Sequence, residues 1–334
     1  MKYAVWNNKG GVGKSFLSFV LSTELANVRK KPVLVVDMCP QANLSEIILG
    51  GNGIGSERLE SVIHDRKTVG GYFDTRIESP HSKTGKETDF LINAHPINPN
   101  LPKDFWLIAG DPSLEIQAQV INQISGQSLP VDAWKNVHRW LYDLISACCD
   151  KLGADSTTVF IDCNPSFSAY TAISMIAADQ LIMPCSSDGS SARAIDNAGS
   201  LLYGITTGKD YGAANFASKA KSFGMPLPKV HSVLLNRSTQ YNKKASKAFS
   251  AMFDEIEKRA SKLREAAPQH FLHDETCFAD IPDSHSVAIV CSHHGIPLYA
   301  VNPGRYEVHD TNPQVNQEPL ERYREAVEKM VALL

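Results

Sequence analysis

The densest chemistry lies near the start of the chain, in Asn7-Asn8-Lys9-Gly10-Gly11-Val12-Gly13-Lys14-Ser15, between a short apolar run and a helical pattern. A turn of this kind can aim successive backbone N–H groups, and a helix N-terminus, at a polyphosphate. Gly10, Gly11 and Gly13 carry no side chain, so the backbone can approach phosphate oxygens closely. Lys14 is placed to reach β- and γ-phosphates and the Ser15 hydroxyl to bind Mg²⁺. Val12 and Phe16 complete the candidate nucleotide-binding stretch. The strict pattern G-x-x-x-x-G-K-[ST] is not met, because Asn8 stands where its first glycine belongs. In exchange a second cation, Lys9, immediately precedes the glycine pair. Further along, Asp37 and Asp162 each end an apolar run, where a carboxylate reaches the crevice at the carboxyl edge of a parallel sheet. Asp37 is equally a residue type that caps a turn or helix. Asn236 ends a third run, and its amide can pair with adenine as donor and acceptor or simply form a turn.

The elements that must hold these groups are legible as alternation. Apolar runs at 3–6, 32–37, 105–110, 157–162, 180–185 and 229–236 are nearly continuous, as expected of strands buried on both faces. Between them Phe16, Phe19, Val20 and Ala26, and later Ile173, Ile176 and Ala177, recur at helical spacing. The expectation is an α/β fold, a doubly wound and mostly parallel sheet with helices on both faces, in one domain spanning 1–334. Segment 51–104, rich in Gly, Ser, His, Pro and Asn, is expected to be an insertion or a mobile surface region.

Of 334 residues, 43% are hydrophobic and 21% charged, which excludes disorder as the main state. With 33 Lys and Arg against 36 Asp and Glu, the formal net charge is -3, so any nucleic-acid contact needs a local basic patch. The seven cysteines include no C-x-x-C pair and no histidine set at zinc spacing, as expected of free thiols in a reducing cytosol. No run approaches the length of a membrane span, and the first residues are too short for a signal peptide. The chain is expected to be soluble and cytoplasmic.

The K-G-G-V-G-K-S turn resembles the deviant Walker A motif of the ParA/MinD family of P-loop ATPases. VLVVDMCPQANLS at 33–45 is similar to that family's strand and D-x-D-P-Q-x-N segment, and VFIDCNPS to its Walker B strand and D-x-P-P-S continuation. LLNRS at 234–238 is similar to the strand whose Asn contacts adenine, and SHHGIPL at 292–298 to a C-terminal S-H-G-x-P signature. The likeness runs from residue 9 to 298 and implies ATP and Mg²⁺ as cofactors. It implies a homodimer in the ATP state, with Lys9 of one subunit reaching phosphates held by the other. It implies catalytic roles for Lys9, Lys14 and Asp37, Mg²⁺ ligation by Ser15, Asp37 and Asp162, adenine contact by Asn236, and a base-pocket wall at Pro282. Cys39 departs from the pattern, since it stands at the second aspartate of D-x-D, where a carboxylate would position the attacking water. A thiol is a poor replacement, so intrinsic hydrolysis is expected to be slow, or the water to be positioned by Gln41 or Asn43.

Residues 237–264 hold an excess of five positive charges in an otherwise acidic chain. That is an ordinary solvated helical face or a phosphate-facing cluster for sequence-independent DNA binding. The resemblance favours the second and nominates Lys243, Lys244 and Lys247, with Arg193 beside the PCSSDGSSA loop, a candidate sensor of nucleotide state. With the first strand expected at 3–6, no preceding helix-turn-helix and no operator-specific binding are expected. The C-terminal pattern Leu320, Tyr323, Val327, Met330, Val331 and Leu334 faces too many glutamates for a membrane-surface helix, and is expected to pack on the domain. The function implied is a partition or positioning switch that is nucleoid-associated when ATP-bound, with a ParB-like or other cargo adaptor stimulating hydrolysis. The alternatives are a metabolic ATPase or ligase similar to dethiobiotin synthetase, a MinD-like membrane-associated ATPase, or an iron–sulfur ATPase resembling nitrogenase iron protein.

Overall fold

A computed structural model describes the chain apart from residues 187, 206–211, 213–214, 239, 242–243, 246 and 274–276; the side chains of 237–250 and of 277 are also outside the description. In chain order the larger elements are β1 (Lys2–Val5), α1 (Lys14–Arg29), β2 (Val33–Met38), α2 (Asn43–Ile48), α3 (Ile54–His64), α4 (Val69–Glu78), β3 (Ile92–Asn93), β4 (Phe105–Ile108), α5 (Leu114–Ser125), α6 (Ala133–His138), α7 (Trp140–Leu152) and β5 (Thr158–Cys163). They continue with α8 (Ala169–Ala177), β6 (Gln180–Cys185), α9 (Gly189–Tyr203), α10 (Phe216–Ser222), β7 (Lys229–Ser238), the short β8 (Gln240–Tyr241) and β9 (Lys244–Ala245), α11 (Lys247–Ala266), β10 (Cys277–Pro282), α12 (His285–His294), β11 (Gly304–Arg305), β12 (Gln314–Val315) and α13 (Gln317–Leu333). All six apolar runs become strands.

One eight-stranded sheet, in the order β10-β7-β6-β1-β5-β2-β4-β3, is parallel throughout except at β3, which pairs antiparallel with β4. Its central strands are mostly apolar because both faces are covered, with Asp37 and Asp162 the exceptions near the carboxyl ends of β2 and β5. Along β1 and β2, Ala4, Leu34 and Val36 pack into the core layer shared with α4, α5, α7, α8, α9 and α11. Tyr3, Val5, Val33 and Val35 alternate to the other face, against α1, α2, α12 and α13. Strand order reverses around β1, so the carboxyl ends of β1, β5 and β2 meet at one crevice, where doubly wound sheets bind ligands. The C-terminal helix buries Leu320, Tyr323, Val327, Met330 and Val331 against this domain. No helix among the described residues is long and apolar enough to cross a membrane.

Segment 51–104 lies partly on the surface, but α4 within it is built into the core. Thr68 caps α4 by accepting from Gly71 N at 3.0 Å, and Val69, Tyr72 and Phe73 are fully buried. Arg76, one helical turn on, is also buried; it donates to Asp143 at 3.1 Å and to the Tyr72 hydroxyl at 2.8 Å. The four positions follow one helical face, but the arginine interrupts the apolar pattern that would have advertised it. Truncating Phe73 to Ala should therefore cost about 3–5 kcal/mol in urea unfolding. A loss below about 1 kcal/mol would return this helix to the surface.

Candidate functional site

The turn between β1 and α1 is held open by backbone geometry. Gly13 stands before α1 at φ 79°, a left-handed conformation that favours glycine, and its carbonyl accepts from Leu17 N at 2.9 Å. A Cβ on Gly10 or Gly11 would meet no atom within 4 Å, so both face open space. Lys14 is buried and folded back on its own loop, donating to the carbonyls of Lys9 at 2.8 Å and Asn7 at 3.4 Å. Burial lowers its pKa, an effect that the charge of Asp162 partly offsets. Asn7 braces the turn from beneath: its Oδ1 accepts from Lys9 N at 3.0 Å and its Nδ2 donates to Pro184 O at 2.7 Å. The Lys9 ammonium points away from Lys14, to Ser186 and Asp188 after β6.

Asp37 and Asp162 end adjacent strands in direct register, and both are fully buried. Asp37 is committed on both oxygens. Oδ1 accepts from Cys39 N at 3.0 Å; Oδ2 accepts from Ser45 N at 2.9 Å and Ser45 Oγ at 2.8 Å. It thus clamps the turn leading into α2, the capping behaviour its residue type allowed. The backbone just after β4 comes so close that a Cβ on Gly110 would sit 2.8 Å from the Cys39 carbonyl oxygen. Asp162 accepts from Ser18 Oγ at 3.3 Å and is also hydrogen-bonded by Ser15. Burial raises the pKa of both carboxyls; for Asp162 the charge of Asp37 adds to the rise, while Ser15, Lys14 and Ser18 oppose it.

Cys39 completes this group, its Sγ lying 3.8 Å from Asp162 Oδ2. Ligand atoms of Asp37, Cys39 and Asp162 all lie within 4.8 Å of one another. Burial, then the charges of Asp162 and Asp37, push the thiol pKa well above its usual value, so Cys39 is a protonated thiol and not a thiolate nucleophile. The hydroxyl and carboxylate oxygens of Ser15 and Asp162 form the hard donor set that suits Mg²⁺, whereas the sulfur does not.

A cleft of about 460 Å³ opens over these groups, lined by the glycine turn with Lys14, Ser15 and Phe16, by Cys39, Gln41 and Asn43 from one side, and by Asn164 and Pro165 from another. Asn236 is buried beside it, but its amide donates to Val12 O at 2.8 Å and so fastens the turn to β7. Pro282 does not line the cleft; it ends β10 and faces a separate groove against α13. Arg193 is exposed on α9. Lys243 lies outside the described residues, and Lys244 and Lys247 only have their backbone described, in β9 and at the start of α11. Ser45, Ser18, Asn7 and Asp188 were not legible as site residues. Asp188 had a signal, since Asp followed by Gly-Ser-Ser before an apolar-periodic stretch is an N-cap pattern.

A parallel sheet with a glycine-and-lysine turn and two buried strand-end carboxylates defines a P-loop nucleotide-binding domain. Residues 3–269 match the model for the CobQ/CobB/MinD/ParA nucleotide binding domain, and the chain belongs to that family. No curated protein matches it in sequence. Among solved structures it is similar to apo McdA from Cyanothece, with 17% identity, a TM-score of 0.60, and 98% of each chain covered. A plasmid partition protein from Borrelia burgdorferi superposes at 15% identity and a TM-score of 0.52, over 100% of this chain and 98% of that one. Cobyrinic acid a,c-diamide synthase from Mycobacterium smegmatis, with an ATP analogue and magnesium bound, gives 14% identity and 0.52, over 99% and 93%. These likenesses establish the shared fold.

Ser45 Oγ also accepts from Gly110 N at 2.9 Å, bridging β4 to Asp37. Ser45→Ala removes one donor from Asp37 and orphans a buried amide, which should cost about 1–3 kcal/mol by urea unfolding. An unchanged midpoint would mean the clamp is not under load.

Proposed function

We propose that this chain is an ATP-driven dimerising switch that binds DNA without sequence preference and positions a cargo, its hydrolysis being stimulated by an adaptor protein. The observation that carries this reading is the divided placement of the two loop lysines. Lys14 lies within the phosphate cleft, whereas the Lys9 ammonium leaves it for the rim. One cation is thus sited for the chain's own nucleotide and the other is left for a second subunit, the arrangement implied by the K-G-G-V-G-K-S resemblance.

In this reading Lys14 exchanges its loop carbonyls for β- and γ-phosphate oxygens, and the amides of the 10–15 turn bind the same oxygens. Ser15 and Asp162 would hold Mg²⁺, which when bound neutralises charge on the phosphates. Asp37 keeps the turn after β2 in place through Ser45 and Cys39. Lys9 of the second subunit stabilises charge developing on the transferred phosphoryl group. The DNA surface includes α11, where Lys258 and Lys262 are exposed while Ile256, Ala260 and Leu263 are buried. Exposed cations on a helix whose other face is anchored suit contact with a phosphate backbone.

The test is sedimentation with and without ATP and Mg²⁺, followed by duplex DNA binding in both states. Wild type should dimerise with ATP and bind DNA in that state. Lys14→Ala should lose nucleotide binding, and Lys9→Ala should bind nucleotide yet remain monomeric. A Lys9→Ala variant that dimerises and hydrolyses ATP normally would refute the reading. A small carboxylate that must be present for phosphate release would instead favour a metabolic synthase, the activity class of the M. smegmatis neighbour.

Cys39 generates a second expectation. A protonated thiol accepts poorly from an attacking water, so basal turnover should be slow. Cys39→Asp should speed single-turnover hydrolysis by about tenfold, equal to about 1.4 kcal/mol of barrier. Equal rates for wild type, Cys39→Asp and Cys39→Ala would make position 39 a packing site.

A further inference from the structure

Lys9 is not free in this structure. Its ammonium donates to Ser186 Oγ at 2.7 Å and pairs with Asp188 Oδ2. The two oxygens of Asp188 have separate duties. Oδ1 caps α9, accepting from Ser190 N at 3.0 Å, Ser191 N at 3.1 Å and Ser190 Oγ at 2.6 Å. Oδ2 takes Lys9, with Ser186 Oγ donating to it at 3.0 Å. Partial burial alone would raise the pKa of Asp188, but hydrogen bonds from Lys9, Ser190 and Ser186 outweigh it and hold the carboxyl well below the usual range. A second contact joins the same elements, Asn197 on α9 donating to Asn8 Oδ1 at 3.3 Å. The phosphate turn is therefore fastened to the start of α9 through the lysine that a partner's nucleotide would require.

An ammonium that spends two of its three donors on Ser186 and Asp188 of its own subunit is drawn away from the phosphates of another. We propose that Asp188 is a positioning residue that tethers Lys9 within its own subunit, so that forming the ATP-bound dimer requires this tether to break. The proposal rests on the reading that Lys9 acts across the dimer. Both side chains are partly exposed, at 24% and 49%, so the tether is weak and screened by salt. A partner's triphosphate, carrying more charge, outcompetes it. The tether thus sets how much ATP-bound partner is needed before Lys9 changes sides.

Asp188→Asn is the informative variant, because asparagine caps a helix about as well as aspartate but carries no charge. In the nucleotide-free chain, the rate at which an amine-reactive ester labels Lys9, read by peptide mass spectrometry, should rise about twofold to fivefold, the range expected of an exposed ion pair. The ATP concentration for half-maximal dimerisation should fall by a similar factor. Binding of a fluorescent ATP analogue to the monomer, at concentrations too low for dimerisation, should not change, since Lys14 and the turn amides are untouched. A merely structural role would lower stability and nucleotide affinity together. In a Lys9→Ala background the Asp188→Asn change should have no further effect on assembly. Equal labelling rates in wild type and Asp188→Asn would overturn the tether. Faster labelling with an unchanged dimerisation midpoint would overturn its role in assembly. A wild-type chain that never dimerises with ATP would instead overturn the trans role of Lys9, with the labelling rates still reporting whether the tether exists.

Discussion

Two fully buried carboxylates, Asp37 and Asp162, stand in register at the ends of neighbouring strands, and much of the surrounding structure answers that constraint. Like charges taken out of water are costly, and each must be met by donors or neutralised. Asp37 is met by the backbone amides and hydroxyl of the turn after β2, which fixes the approach of α2 to the cleft. Asp162 is met by serine hydroxyls of α1, by the Cys39 thiol at 3.8 Å and by the nearby charge of Lys14. One carboxylate is thereby a structural clamp, and the other retains the capacity to meet a cation arriving with a nucleotide.

Cys39 alters this balance. A third carboxylate would raise the electrostatic cost of the cluster, whereas the thiol adds bulk without charge and is itself held protonated by its surroundings. In the proposed ATPase reading, what the site saves in repulsion it gives up in capacity to orient water, so that stability of the resting cleft and speed of hydrolysis oppose each other at one position.

The phosphate turn is tied to β6 through Asn7, to β7 through Asn236, to α9 through Asn8 and Lys9, and to the segment after β5 through Asn8 and Pro165. Helix α9 in turn meets α11, where Asp196 pairs with Arg259, itself also paired with Glu255 at 2.7 Å. A rearrangement at the nucleotide therefore has a continuous set of packed and charged contacts leading to the basic helix. Compensation of Arg259 by Asp196, which lies outside 237–264, also shows that the positive excess of that segment overstates the charge presented to solvent.

The class of fold, the phosphate turn and the strands that end in Asp37, Asp162 and Asn236 are legible in the order of residues alone. Those features are local: apolar runs covered on both faces, a glycine pattern, and a residue's position at a strand end. The burial of α4 within 51–104 is not legible there, because Arg76 occupies one position of the buried helical face and is neutralised by Asp143, 67 residues away. Nor does that order reveal that Asn236 fastens the turn or that Pro282 faces another groove. Which atom a side chain meets depends on where distant strands and loops are brought together. The same holds for the two lysines of one loop: their spacing announces phosphate chemistry, but Lys14 folds into the cleft and Lys9 is drawn out of it because folding brings the turn after β6, with its carboxylate, to the rim.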